Sequence, residues 1–388
     1  MQRSLQVFLH DRLIGTLAEP RTNKFTFSYS LDATDLVSAR LPWSDERYPP
    51  AAMAPLVDAL APPLPRRLEL SEVHDIPDHL LYRFLEICGG DLPGALTFAT
   101  TDAAAAAQPA TPIDPEALVD EMAVVRLGDS WGIPAAGQPS THILRIEDEL
   151  LPGSAAAELF ALSLAAEIGL PTVATELTSI YDLPATVIAR ADRSVDGDGA
   201  VRRQHLELFG SLCGLALEGD DDRIYEERGG PGFAEIAEAI DAFAADPQGA
   251  VRELVDHMVM HFCVGNTNAH ANTYALLQPQ MTLGPIQTML PAEIYTELVT
   301  EDGTFDIDHR LAMTIGGCAT SDEVSAGALI AEAASWPRLR RATAEAAVQD
   351  AVERIAAARQ RNTVDVTGVP SSLLELIDER IVRLQTTS

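Results

Sequence analysis

The residues with most chemical potential lie in His261-Phe-Cys-Val-Gly-Asn-Thr-Asn-Ala-His-Ala-Asn-Thr-Tyr274, where three asparagines, two threonines and His270 follow Gly265. Leu254, Val255, Met258 and Phe262 recur at helical spacing before the loop, and Tyr274-Ala-Leu-Leu277 reads as a strand after it. Helix, polar loop and strand together present side chains at a cleft. Amides set between apolar flanks need hydrogen-bond partners, so the loop is expected to be ordered. His257 and His261 stand four apart on one helix face, a spacing compatible with metal. No H-E-x-x-H glutamate or cysteine cluster accompanies them, and partly buried helix histidines are the expectation. No G-x-S-x-G elbow occurs for a nucleophilic serine.

Length and charge narrow the classes. A chain of 388 residues exceeds one domain's usual share, so two domains or a two-lobed body are expected, with 47% hydrophobic residues to fill the core. No apolar run reaches membrane-span length, and the first residues carry no signal-peptide pattern, so a cytoplasmic protein is expected. Cys88, Cys213, Cys263 and Cys318 are scattered without a C-x-x-C pair and read as reduced, buried thiols. A net charge of −31 opposes direct binding to a phosphate backbone. Lys24 is the single lysine and sits in the first hairpin, far in sequence from any phosphate site. A nucleotide here would need arginine, backbone amides or metal in place of the usual strand lysine.

The elements that must position the loop follow in order. Residues 1–101 read as a small α/β unit: Leu5, Val7 and Leu9 alternate, His10-Asp11 turns, and Lys24–Tyr29 alternates again. Helices are expected near Pro55–Leu60 and Asp78–Ile87. Residues 103–112 read as an Ala- and Pro-bearing linker, and a helix is expected to start at Asp114-Pro-Glu. Residues 122–147 read as strands around a Gly128-Asp129 turn. Ser154–Gly169 is the clearest helix, with Ser154 as its cap and Gly169-Leu-Pro171 as its stop. Asp220–Asp222 reads as a solvated loop, and Pro370–Leu384 as an amphipathic helix.

The loop Gly265-Asn-Thr-Asn-Ala-His-Ala-Asn-Thr-Tyr274 resembles the catalytic loop G-x-T-D-x-H-x-x-N-[FY] of the HipA-type serine/threonine kinases, toxins of bacterial toxin–antitoxin pairs. Gly128-Asp-Ser-Trp-Gly-Ile133, Thr141-His-Ile-Leu-Arg145, Glu158–Leu170, Ala189-Arg-Ala-Asp-Arg193 and Leu283-Gly-Pro-Ile-Gln-Thr288 resemble further segments of that family in order. So does Gly229-Gly-Pro-Gly232, with Tyr225–Gly232 and Phe233–Phe243 read as helical. The resemblance implies an α+β, HipA-like fold: a small N-terminal α/β domain (1–101), a kinase-like small lobe (102–193) and a helical large lobe (194–388).

Residue by residue, the resemblance puts the phosphate-holding lysine on Arg145, with Glu158 as its partner. It puts the catalytic aspartate on Asn268, beside His270. It puts the two metal ligands on Thr273 and Thr288. The family's glycine-rich loop falls on Ile113–Glu121, which has no glycine and four acids and would repel phosphates. Ala189 and Ala191 fall where an adenine ring would rest. An amide has no useful basicity, and losing a general base costs roughly 10²–10⁴-fold. Neutral hydroxyls make a poor magnesium site; Glu293, Asp302, Asp306 and Asp308 are the acids that would have to reach a displaced ion. The expectation is therefore a pseudokinase with a binding, regulatory or scaffold role. No metal or cofactor is expected, nor direct nucleic-acid or membrane contact, and a HipB-like antitoxin is the protein partner that the family implies. An active kinase using ATP and magnesium, or a cleft recruited to another ligand or reaction, are the alternatives.

Overall fold

The computed structural model describes residues 3–100, 109–115, 118–135, 137–197, 199–300, 303–307, 309–361 and 364–386. Alternating apolar residues build β1 (Arg3–Leu9), β2 (Arg12–Arg21) and β3 (Lys24–Tyr29). His10 and Asp11, both with positive φ, make the tight turn between the first two strands. Three helices follow: α1 (Pro50–Leu60), α2 (Leu64–His74), which the sequence pattern did not announce, and α3 (Leu81–Cys88). β4 (Leu96–Ala99) returns beside β1, giving the order β3-β2-β1-β4. Leu5, Val7, Phe27, Leu85 and Leu96 are fully buried in a core of this unit's own.

A second sheet has the order β5-β7-β6-β8-β10-β9. Its strands are β5 (Thr111–Pro112), β6 (Glu121–Leu127), β7 (Ser130–Ile133), β8 (His142–Ile146), β9 (Thr175–Ile180) and β10 (Leu183–Ala189), and α4 (Ser154–Glu167) lies between β8 and β9. The helix expected to start at Asp114-Pro-Glu runs into residues 116–117, which lie outside the described residues, as do residues 103–108 of the expected linker. One local expectation fails here. Ser154 does not cap α4: the cap is Gly153, and the Glu147 carboxylate accepts the free N–H groups of Gly153 at 3.0 Å and Ala155 at 3.1 Å. A carboxylate suits the positive end of a helix better than a hydroxyl does, and the turn after β8 brings it there.

The rest of the chain opens with small strand pairs: β11 (Arg193–Val195) with β12 (Val201–Arg203), then β13 (Leu206–Leu208), leading into α5 (Phe209–Cys213). α6 (Phe233–Phe243) and α7 (Pro247–Val264) follow, then β14 (Ala275–Leu277) and β15 (Thr282–Leu283), which join β13 in a three-stranded sheet. The hairpins β16 (Glu297–Thr300) with β17 (Gly303–Asp306) and β18 (Arg310–Ile315) with β19 (Cys318–Thr320) precede α8 (Ala326–Ser335), α9 (Arg341–Arg361) and α10 (Ser371–Thr386). The expected helix over Tyr225–Gly232 is instead 3₁₀ turns at Asp221–Ile224 and Glu226–Arg228, because three glycines and a proline deny it a regular ladder. α7 is buried along nearly its whole length and is the axis of the large apolar cluster, with Leu254, Met258 and Val259 at no exposure. No described helix is long and apolar enough to cross a membrane.

Charged residues bind the N-terminal unit to the body. Asp192 accepts from Gly94 N at 2.6 Å and from Arg190 Nη2 at 2.8 Å, and lies 2.9 Å from Arg193 Nη1. Asp91 lies 3.0 Å from Arg193, 3.4 Å from Arg190 and 3.5 Å from Arg203. Burial alone would raise the Asp192 carboxyl, but Arg190 and Arg193 outweigh it and hold the group below its ordinary value. Asp221, expected in a solvated loop, takes Arg67 Nη2 at 3.0 Å on both oxygens. Of the four free cysteines only Cys263 is fully buried; Cys88, Cys213 and Cys318 are half-buried.

Candidate functional site

β8, α4 and the segment after β15 converge on Arg145, Glu158 and Thr288. Arg145 faces α4 from β8, and Glu158 sits on the buried face of that helix at 2% exposure. Thr288 arrives because the segment before it is stitched to the exit of α4: Ile286 N donates to Pro171 O at 2.9 Å and Val173 N to Ile286 O at 3.1 Å. Arg145 Nη1 donates to both Glu158 oxygens, at 3.0 and 2.9 Å. Thr288 Oγ1 donates to Glu158 Oε1 at 2.5 Å and accepts from Arg145 Nη1 at 3.3 Å, and Met289 N adds a donor to the same Oε1 at 3.2 Å. On its outer side, Arg145 Nε and Nη2 donate to Glu121 Oε2 at 3.0 and 2.9 Å. Burial disfavours the guanidinium's charge, yet Glu158 and Glu121 outweigh it and raise the group above its ordinary value.

The loop after α7 is a separate, equally ordered set. Gly265 caps α7 with φ at 72°, and a Cβ there would lie 2.7 Å from Leu376 and 3.0 Å from Glu293, so glycine alone fits. Asn266 pins the loop: its Nδ2 lies 2.8 Å from His261 Nδ1 and its Oδ1 accepts from Asn268 N at 3.2 Å. Ala312 N donates to Thr267 O at 2.8 Å. Asn268 itself is exposed. Thr273 turns its hydroxyl back onto His270 O at 2.7 Å. Burial pulls the His270 imidazole down to about 4 and the His261 imidazole to about 3, the latter helped by His257, so both are neutral at pH 7. The rings of His257 and His261 are 6.5 Å apart. Both histidines are almost fully buried rather than partly so, and no group of three His, Cys, Asp or Glu among the described residues is placed to hold a metal ion.

These residues do not fit magnesium or a triphosphate. The buried carboxylate nearest the expected metal side, Glu158, already accepts from Arg145, Thr288 and Met289. Thr273 and Thr288 offer neutral oxygens to a cation that prefers carboxylates and waters. Arg145, the expected phosphate cation, is flanked by two carboxylates. Of the acids considered as displaced ligands, Glu293 gives its Oε1 to Arg380 and to Ser321 Oγ at 2.6 Å, while its buried Oε2 has no hydrogen-bond partner among the described residues. Asp306 is exposed on β17, and Asp302 and Asp308 lie outside the described residues.

Glu121 was legible only as one acid in a run of four. Its pairing with Arg145 comes from register, since the two face each other across β6 and β8. Between and beside Ala189 and Ala191, which the resemblance puts where an adenine ring would rest, Arg190, Asp192 and Arg193 face the N-terminal unit.

A six-stranded second sheet with its own apolar core, a buried helix glutamate paired to a strand cation and a polar loop after a buried helix define a protein with a kinase-like body. The family model for the HipA N-terminal domain matches residues 5–99, and that for the HipA-like C-terminal domain matches residues 106–362. The chain belongs to the HipA family. Y4mE of Sinorhizobium fredii (strain NBRC 101917 / NGR234), proposed by its name to be a kinase, is 27% identical over 363 residues, covering 84% of this chain and 83% of that protein. HipA of Shewanella oneidensis MR-1, solved in complex with HipB and its operator DNA, superposes with a TM-score of 0.80 at 18% identity, over 98% of this chain and 96% of that one.

Proposed function

We propose that this HipA-family protein is a pseudokinase that acts by binding, as a regulatory or scaffold protein, without transferring phosphate. One observation carries the reading: Thr288, where the resemblance puts a metal ligand, donates its hydroxyl to Glu158 Oε1 at 2.5 Å, while the Arg145–Glu158 pair at 2.9 Å is one that an active kinase also makes. Asn268 stands where the proton acceptor belongs and cannot take a proton at neutral pH. The retained frame, with Gly265, Asn266 and Thr267 all structurally engaged, supports selection for a shape rather than a turnover. By analogy with the Shewanella HipA, the partner we favour is a small HipB-like protein. A chain of net charge −31 leaves any DNA contact to that partner.

The test is transfer of label from γ-labelled ATP, with magnesium and then manganese, to the protein itself and to a generic basic protein substrate. No incorporation above a protein-free blank is expected. Incorporation that disappears in Asn268→Ala would overturn the reading.

A further inference from the structure

Three exposed apolar side chains of the N-terminal unit stand together. Leu31, just past β3, is 89% exposed, and Leu13 and Trp43 are nearly half exposed. In the register that pairs Gly15 with Tyr29, residue 13 of β2 falls opposite residue 31. On the far side of β3, residues 43–48 run antiparallel to it. Phe27 N donates to Tyr48 O at 3.2 Å and Tyr48 N to Phe27 O at 2.8 Å. Arg47 Nε donates to Ser28 Oγ and Trp43 Nε1 to Ser30 O, both at 3.4 Å. Leu31 is therefore set between Leu13 and Trp43. The segment that carries Trp43 is pinned to the body as well: Ser38 Oγ donates to Glu207, Ala39 N to Glu207 Oε2 at 2.9 Å, and Arg40 Nη1 to Ser211 O at 3.2 Å. An indole held in this way loses little freedom on binding, and a tryptophan beside leucines is the usual anchor of a protein interface.

The charges around these residues select the occupant. Asp32, Asp45 and Glu46 are exposed and make no ion pair among the described residues. Arg12 is tied to Asp35, and Arg40 is turned to the body, which leaves Arg47 against three acids. A second copy would set acid against acid in a chain of net charge −31, and anionic lipid or nucleic acid meets the same repulsion. An indole face beside carboxylates attracts arginine or lysine. We propose that Trp43, Leu31 and Leu13 form a docking face for a basic segment of a partner protein. An arginine or lysine of the partner lies over Trp43 toward Asp45 and Glu46, and an apolar side chain packs on Leu31 and Leu13. The face shares no residue with the candidate site. The inference rests on the reading that this protein acts by binding, and it adds where the partner docks and which charge it carries.

The experiment follows the fluorescence anisotropy of a labelled synthetic peptide, with a leucine and a phenylalanine between two arginines and two lysines, titrated with the full chain. A second peptide carries serine at both apolar positions, and a third carries glutamate at every basic one. The proteins are the unaltered chain, Trp43→Ser, Leu31→Ser and Val73→Ser. Val73 is an exposed apolar residue of α2, so its variant removes apolar surface elsewhere on the same unit. All three positions are exposed, and circular dichroism checks that each variant folds. The first peptide is expected to bind the unaltered protein and Val73→Ser alike, and Trp43→Ser and Leu31→Ser about tenfold more weakly, the loss of a binding anchor. The serine peptide should bind all four equally weakly, and the acidic peptide none. Equal binding of the first peptide by all four proteins is general attraction to an acidic chain and would overturn the docking face. So would no binding by the unaltered protein, or self-association or uptake by anionic vesicles that Trp43→Ser abolishes. Phosphate transfer from ATP is a different result: it would defeat the proposed function, whereas failure of the peptide titration alone would defeat only this inference.

Discussion

Replacing Arg145 by methionine keeps most of the side chain's length and removes its charge. Glu158, at 2% exposure, then keeps a buried carboxylate whose remaining donors are Thr288 Oγ1 at 2.5 Å and Met289 N at 3.2 Å. Removing one partner of a buried pair costs about 3–5 kcal/mol. Arg145 is one-third exposed, so solvent already screens part of its attraction, and two hydrogen bonds survive; about 2–3 kcal/mol is the expected loss. Urea unfolding at pH 7.5, followed through Trp131 on the same sheet, measures it. A change below about 0.5 kcal/mol at pH 7.5, the range of an ordinary surface substitution, would refute the view that Arg145 and Glu158 form a stabilising buried pair.

Three further outcomes follow from the same geometry. Thr288→Asp sets a second carboxylate where a hydroxyl now donates to Glu158 at 2.5 Å; we expect a loss of about 2 kcal/mol at neutral pH by the same urea assay. Asp192→Asn leaves Arg190 and Arg193 facing Gly94 and Leu92 with one less buried counter-charge; a loss of about 3 kcal/mol, with faster proteolytic release of the N-terminal unit, is expected. Burial, with His10 adding to it, lowers the His205 imidazole to about 4, so the fold favours its neutral form. Its contribution is complete above the unfolded value near 6.5 and is lost as pH falls toward 4. By pH 5 that loss is about 2 kcal/mol, and His205→Gln should flatten the pH 7.5-to-5 stability drop by that amount.

Much of the frame could be read from residue order. Alternation marked β1 and β3 and a turn signal the hairpin to β2, while helical spacing marked α7 and an Ala- and Leu-rich run ended by Gly169-Leu-Pro171 marked α4. Gly265 and Tyr274 bracketed the polar loop correctly as the end of a helix and the start of a strand. What escaped was set by contacts between distant segments. The Glu147 cap depends on a turn that folds β8 back onto α4. Asp221 looked solvated because Arg67, its partner, is 154 residues away. α2 has a weak apolar face, with Leu64 and Leu68 exposed, so periodicity could not announce it.

The candidate site shows the same division. Family resemblance supplied positions for Arg145, Glu158 and Thr288, but not that Thr288 would donate to Glu158 or that Glu121 would cover the outer edge of Arg145. Those contacts follow from strand register and from the stitching of Ile286 to Pro171, which only the folded chain displays. Thr273 was weighed as a weakened metal ligand; its hydroxyl instead closes the loop on His270 O.

The most direct test of the central claim is calorimetric titration of ATP with excess magnesium into the unaltered protein at pH 7.5. If the protein is the pseudokinase proposed, with Asn268, Thr273 and Thr288 in place of the catalytic and metal-binding side chains, no saturable heat is expected up to millimolar nucleotide. A saturable isotherm with a micromolar Kd, dependent on magnesium, would contradict the account.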